Sequence, residues 1–218
     1  MEDVEESIRC HQEALELFPA LHLYRSRSLN HLASGLLTRF EQRGDFEDLE
    51  VSIQCYQEAL DLEPAPHPNR SISLNNLANA LTKRFGQKKN FEDLEESIQC
   101  NQEALELRPA PHLDRPGSLN NLANALLKRF EQKGDFQDLE KSLQCYQEAL
   151  MLRPAPHPDR SSSLNNLANA LSTHFEQKGD FEDLEESIQC HREALELFFA
   201  PHPNRSDSLN NLALVLST

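Results

Sequence analysis

Apolar residues recur along this chain in two alternating helical patterns. In the first, Leu119, Leu122, Ala123 and Leu126 follow the i, i+3, i+4, i+7 spacing of one helical stripe. In the second, Phe91, Leu94, Ile98, Ala104 and Leu105 form a stripe around the small Ser97. The first pattern predicts helices over about 27–43, 72–88, 117–133 and 162–178; the second predicts partners over about 46–62, 91–107, 136–152 and 181–197. Between them, Gly-Asp-Phe at 44–46, 134–136 and 179–181 combines a helix-ending glycine with an aspartate placed to cap the next helix. The second copy reads Lys89-Asn90-Phe91, which keeps a capping residue but lacks the glycine, so its turn is expected to close differently. Proline-bearing stretches such as Leu62–Arg70 end each second helix, and Asn69 or Asp159 is placed to cap the first helix of the next pair.

These patterns are copies of one unit. The string N-N-L-A-N-A-L stands identically at Asn75–Leu81, Asn120–Leu126 and Asn165–Leu171, each copy 45 residues after the last. A fixed period overrides domain counting by length, because each unit contacts mainly its neighbours. The chain reads as an all-α array of antiparallel helix pairs: a half-repeat 1–24, full repeats 25–69, 70–114, 115–159 and 160–204, and a half-repeat 205–218. The apolar content of 38% and the absence of Trp suit a thin stack of helices.

A formal charge of −15 repels phosphate backbones and anionic lipid, which argues against nucleic acid and membrane as partners. No apolar run approaches the roughly 20 residues of a membrane span, and Met1 is followed by acidic residues, not by a basic and then apolar leader. Cys10, Cys55, Cys100, Cys145 and Cys190 fall once per period at one helical position, where helix spacing of about 8–10 Å keeps them apart, so they read as packing residues of a reducing, cytoplasmic protein.

The first helix has an L-x-x-L-A-x-x-L core. The second carries Ser52, Tyr56, Ala59 and Pro64, then Ser97, Asn101, Ala104 and Pro109, then Ser142, Tyr146, Ala149 and Pro154. This spacing resembles the tetratricopeptide repeat (TPR), although the period of that family is about 34 and here it is 45. The longer unit, with its S-L-N-N-L-A string and H-P-N-R or H-P-D-R loop, looks like the kinesin-light-chain-type subclass. It is also similar to arrays beside caspase-like (CHAT-type) or NTPase domains in large fungal proteins. The resemblance implies an α-solenoid coiled as a right-handed superhelix, a non-catalytic protein-interaction scaffold whose first helices line a concave groove. Phe199, His31, Ser34 and Leu214 depart from the other copies.

Candidate binding residues lie off the leucine stripe. Asn75, Asn79, Asn120, Asn124, Asn165 and Asn169 are spaced four apart in pairs, and their amides can both donate to and accept from the backbone of an extended peptide. Stacked first helices at about 9–10 Å would meet such a strand roughly every third residue. The alternative is that the amides only tie neighbouring repeats together. Asn76, Asn121 and Asn166, about 100° further round, read as inter-helix ties. Lys83 and Lys128 continue the face and suit an acidic ligand, or equally complement a helix C-terminus. Asn75 and Gly117 stand where a chaperone-tail clamp needs cations, which disfavours that partner. The acidic second helices read as a solvated face.

Nothing in the sequence supports catalysis. Cys10-His11 and Cys190-His191 are helix neighbours pointing about 100° apart. His22, His67, His112, His157 and His202 recur once per loop with no second ligand at metal spacing, so no metal or cofactor is expected. Two other roles stay open: head-to-tail homo-oligomers through the half-repeats, where Leu209, Leu212, Val215 and Leu216 lack a polar cover, and a sensor arm attached to an effector domain.

Overall fold

The computed structural model describes residues 2–19, 22, 24–197 and 205–217, and those residues form ten helices and no strand. The leucine-and-alanine stripes build the first helices of each pair: α2 (Arg25–Arg43), α4 (Arg70–Lys88), α6 (Arg115–Lys133), α8 (Arg160–Lys178) and α10 (Arg205–Val215). The serine-centred stripes build the second helices: α1 (Glu2–Leu17), α3 (Phe46–Asp61), α5 (Phe91–Glu106), α7 (Phe136–Met151) and α9 (Phe181–Leu197). Within each of two units, α1 to α5 and α6 to α10, consecutive helices pack as antiparallel pairs, the arrangement of an α-solenoid. Phe199 and His202 lie outside the described residues.

Two compact units divide the chain, residues 1–109 with α1 to α5 and residues 110–218 with α6 to α10. In the first, Leu49, Ile53 and Tyr56 of α3 pack with Leu74, Leu77, Ala78 and Leu81 of α4. In the second, Leu143 and Tyr146 of α7 pack with Leu164, Leu167, Ala168 and Leu171 of α8 and with Cys190 of α9. Each such leucine removed from water contributes about 1.5–3 kcal/mol. The alanines and serines set the closeness of each pair: Ser97 Oγ donates to the Ala78 carbonyl at 2.9 Å, and Ser187 Oγ does the same to Ala168 at 2.9 Å.

The first helices begin at an arginine, about two residues before the apolar spacing predicts. The expected caps Asn69 and Asp159 make no side-chain capping bond. The connection is held instead by the arginine next in the chain. Arg70 Nη1 donates to the carbonyls of Leu60 and Glu63 at the end of α3, while its Nε reaches Glu103 of α5 at 2.6 Å. Arg160 repeats this with Leu150, Arg153 and Glu193. One guanidinium thus satisfies the carbonyls orphaned at a helix end and ties three elements. The loop histidines belong to the same construction, since Nδ1 of His67, His112 and His157 accepts from the backbone N–H two residues on, at 3.1–3.2 Å.

The turns inside each pair form as the sequence predicts, with one correction. Gly44, Gly134 and Gly179 adopt left-handed φ of 74°, 69° and 71°, and Asp45, Asp135 and Asp180 accept from the N–H two residues on. Lys89, expected to close its turn differently, takes the same left-handed conformation at φ 55°, its N–H bonded to the Phe85 carbonyl at 2.8 Å, and Asn90 caps α5. The flanking bonds and the Phe85–Phe91 ring contact at 5.7 Å impose the turn on a residue that disfavours it. Replacing Lys89→Gly is therefore expected to raise the unfolding free energy by about 1 kcal/mol in a denaturant titration, since a left-handed non-glycine residue costs about 1–2 kcal/mol. An unchanged or lower value would show that Lys89 is unstrained.

Candidate functional site

The first helices are covered on most sides by their own second helix and by neighbouring pairs, and one stripe of each stays open. On α4 it is Ile72, Asn76, Asn79 and Lys83, at i, i+4, i+7 and i+11; on α2 it is Arg27, His31, Ser34 and Thr38. In the second unit the stripe is Asn121, Asn124 and Lys128 on α6, Ser162, Asn166, Asn169 and Thr173 on α8, and Asn211 and Leu214 on α10. These positions are exposed or half-buried between stretches of buried residues.

Of the predicted residues, Asn79, Lys83, Asn124, Lys128 and Asn169 lie on this stripe, and the first asparagine of each N-N pair does not. Asn75 and Asn120 are only 8% and 7% exposed, Asn165 is half-buried, and all three face the packing, not the open stripe. Asn120 Nδ2 donates to the Pro116 carbonyl at 2.8 Å and to Ser163 Oγ on α8 at 3.4 Å. Asn30 Nδ2 reaches Ser73 on α4 at 2.8 Å, and Asn165 Nδ2 reaches Ser208 on α10 at 2.7 Å. The asparagine and its serine stand 43 residues apart, so one first helix is stitched to the next. Asn76, Asn121 and Asn166, expected as ties, are half-buried on the open stripe, and Asn166 is also a tie, its Nδ2 donating to Asn120 Oδ1 on α6 at 3.4 Å. A buried amide needs a buried partner, and the serine two residues ahead of each N-N pair was the available signal.

Of the remaining predicted residues, Asn79 and Asn169 are exposed and Asn124 is half-buried. Tyr146 Oη donates to Asn124 Oδ1 at 2.6 Å, and Asn211 Nδ2 donates to Asn169 Oδ1 at 3.2 Å. In both cases the acceptor is engaged and the NH₂ donors are left over. Lys83 pairs with Glu41 of α2 at 2.7 Å, and Lys128 is half-buried on the stripe.

One aspartate near the start of α3, α5 and α7 is spent internally, which corrects its reading as part of a solvated face, while Glu92, Glu106 and Glu182 are exposed as expected. Asp48, Asp93 and Asp138 are buried, each held in two bonds by Arg39, Arg84 and Arg129 of the first helix of its pair at 2.6–3.0 Å. Arg39 reaches on to Glu5, and Arg84 to Glu50. Bidentate pairs of this kind fix orientation as well as charge. Burial, reinforced by nearby glutamates, pushes the Cys100 and Cys190 thiols up to about 12 and those of Cys55 and Cys145 up to about 11, which suits packing and not nucleophilic chemistry. Among the described residues no group of three or more His, Cys, Asp or Glu is arranged to hold a metal ion, and no helix is long and apolar enough to cross a membrane.

Stacked helix pairs with an open polar stripe on their first helices define a repeat scaffold for protein–protein interaction. A tetratricopeptide repeat family model matches residues 72–114, 117–159 and 160–204, more than half of the sequence, and the chain belongs to that family. No curated protein sequence matches it. Among solved structures it is similar to BtubC (BKLC) from P. vanneervenii, at 19% identity and a TM-score of 0.68 over 98% of this chain and 83% of that one. A kinesin-light-chain-like protein of Podosopora anserina with nearly identical TPR-like repeats aligns at 17% identity and a TM-score of 0.65, over 89% and 87% of the two chains. YrrB, a TPR protein with an unusual peptide-binding site, aligns at 14% identity and a TM-score of 0.57, over 95% and 82%.

His191 gives the second unit a pH dependence. It is fully buried on α9, its ring Nδ1 lies 3.1 Å from Asn165 Oδ1, and burial holds its pKa below the usual 6.5. The folded state therefore favours the neutral ring, so the stability it supports is present above about pH 6.5 and is lost as the pH falls below that value. Thermal unfolding between pH 7 and pH 5 is expected to show this loss, and His191→Tyr, the residue at positions 56 and 146, is expected to flatten it. Equal slopes for both proteins would refute the assignment.

Proposed function

We propose that the open stripes of the first helices bind an extended peptide, with the second asparagine of each N-N pair and the asparagine three residues on as the contacts to its backbone. The residues are Asn76 and Asn79 in the first unit, and Asn121, Asn124, Asn166 and Asn169 in the second. The observation that carries this is the partition of amides. Asn120 and Asn165 are consumed in inter-helix stitches, while the second and third asparagines of the α4, α6 and α8 repeats lie on the outward stripe in a helix interior, where asparagine is intrinsically poor, and of these Asn166 is also tied to Asn120. In Asn124 and Asn169 the acceptor oxygen is already engaged, so each presents a donor suited to a peptide carbonyl. Lys128 biases the second unit toward an acidic ligand, whereas Lys83 is shared with Glu41.

Screening a 15-residue peptide library with the full chain supplies ligands for the test. The double substitution Asn166→Ala, Asn169→Ala is expected to weaken their binding by roughly thirtyfold, since two hydrogen bonds contribute about 1 kcal/mol each, with little change in melting temperature. Asn120→Ala is expected to do the opposite, lowering stability through its lost stitch. Affinity unaffected by the double substitution would sink the proposal.

A second reading joins copies head to tail. Leu209 of α10 and Leu216 just beyond it are 48% and 56% exposed, whereas their counterparts Leu164 and Leu171 on α8 are 1% and 2% exposed. The helix that covers those counterparts is α9, and α1 repeats residues 182–197 of α9 with changes only at Val4, Arg9 and Gln12. An α1 from a second copy therefore has the sequence that α10 would accept. Light scattering that finds only monomer across a hundredfold concentration range excludes this assembly.

A further inference from the structure

One cavity of the first unit is walled in part by residues that depart from the repeat pattern. It measures about 500 Å³ and is lined by His11 of α1, Phe18 and Tyr24 of the connection, and Arg27, Ser28 and His31 of α2. Ser28 recurs in every later copy, and His11 and Phe18 recur once each, at positions 191 and 198. His31 stands where Asn76, Asn121, Asn166 and Asn211 stand, Arg27 where Ile72, Gly117 and Ser162 stand, and Tyr24 where Asn69, Asp114 and Asp159 stand. Tyr24 and His31 therefore replace an otherwise constant Asn or Asp, and Arg27 occupies a position that differs in every copy.

The chemistry of the wall is consistent. The His11 and His31 rings stack at 5.3 Å and 22°. Phe18 stacks on His22 at 4.3 Å, and His22 in turn lies 5.7 Å from Tyr24. Rings from both stacks line the same space. No carboxylate lines it, although the protein carries 36 acidic residues against 21 basic ones. Most arginines of the first helices are held by a named acid: Arg25 by Glu58, Arg39 by Asp48, Arg70 by Glu103 and Arg84 by Asp93. Arg27, exposed at the cavity wall, makes no ion pair or hydrogen bond among the described residues. The guanidinium, two imidazole N–H groups and the Ser28 and Tyr24 hydroxyls are all able to donate, and the faces around them are flat and apolar.

We propose that this cavity binds an aryl oxyanion, a flat ring bearing a phosphate or carboxylate, with the ring against the stacked aromatic faces and the anion on Arg27 and His31. A guanidinium beside imidazole donors is the arrangement that recognises phosphate and carboxylate oxygens, and aromatic walls add selectivity for a ring over a bare anion. The ligand is either a small molecule or a phosphotyrosine side chain of a protein partner. The site uses none of the asparagine contacts and stands or falls separately from peptide binding on the open stripes.

The full-length chain is titrated with phenyl phosphate, N-acetyl-phosphotyrosine amide, inorganic phosphate and phenol, and the imidazole NMR signals of His11 and His31 are followed. Saturable shifts of both rings are expected with the two aryl phosphates, and about tenfold weaker binding with inorganic phosphate or phenol, given about 1.5–3 kcal/mol for a charged hydrogen bond. Comparable binding of both aryl phosphates supports a protein source, and binding of phenyl phosphate alone supports a small molecule. Arg27→Ile and His31→Asn restore the residues of positions 72 and 76, so the fold tolerates them, and each is expected to weaken phenyl phosphate by about tenfold. Absent saturation, equal affinity for inorganic phosphate, or undiminished binding by both variants overturns the proposal.

Discussion

The contact that everything else depends on is the close approach of the two helices within a pair, where a buried serine of the second helix sits at the seam and, in the α4–α5 and α8–α9 pairs, bonds a backbone carbonyl of the first. Ser97 on Ala78 and Ser187 on Ala168 show it, and Ser52, Ser97, Ser142 and Ser187 are all fully buried. Such a bond requires the two backbones to be nearly in van der Waals contact, which only Ala on one side and Ser on the other permit. Thr82 and Ser172 extend the same seam by bonding Ser97 and Ser187 at 2.7 and 2.8 Å. A larger side chain at any of these positions would push the helices apart, and the Arg84–Asp93 and Arg129–Asp138 clasps across equivalent pairs would lose their geometry.

That closeness decides which polar groups remain available. Once each second helix is seated, a first helix has one face on its partner, others against neighbouring pairs, and one stripe left. Asn120 falls on a neighbouring face and must bond Ser163, whereas Asn121, one residue on, stays at the surface. The charges partition in the same way. Aspartates buried at the seam are neutralised by arginines of the opposite helix, so part of the acid-rich sequence of the second helices is structural.

The period, the helix pairs and the leucine stripe were legible in the sequence because they are local patterns repeated at a fixed offset. The glycine turns were legible for the same reason, and Lys89 shows the limit: the surrounding bonds hold the turn whatever residue occupies it. The faces of the two asparagines in each N-N pair were not legible. Asn75 and Asn76 differ by about 100° around a helix, and both avoid the leucine stripe. Between Asn120 and Asn121 the difference is Ser163 on the next first helix, a tertiary contact that no spacing within one helix encodes. The arginine clasp at the loops was missed because Asn69 and Asp159 are good capping residues in isolation, and a guanidinium reaching back to the Leu60 and Glu63 carbonyls removed the need for them.

Near-identical repeats do not have identical interiors, and the position after each cysteine shows why this bears on binding. It is His11, Tyr56, Asn101, Tyr146 and His191 in turn, the last four essentially buried beneath the first helix of the pair. Where it is tyrosine, the hydroxyl reaches up to the open stripe, to Ser34 Oγ at 2.9 Å and Asn124 Oδ1 at 2.6 Å. Asn101 is too short to do so, and its buried amide atoms have no protein partner, while His191 turns aside to Asn165. Asn124 is consequently anchored from below, whereas Asn79 and Asn169 are exposed. A side chain fixed from beneath loses less rotamer freedom on meeting a ligand than an unanchored one. The buried residue after the cysteine therefore sets how preorganised each outward amide is, and repeats that look alike on the surface are graded from within.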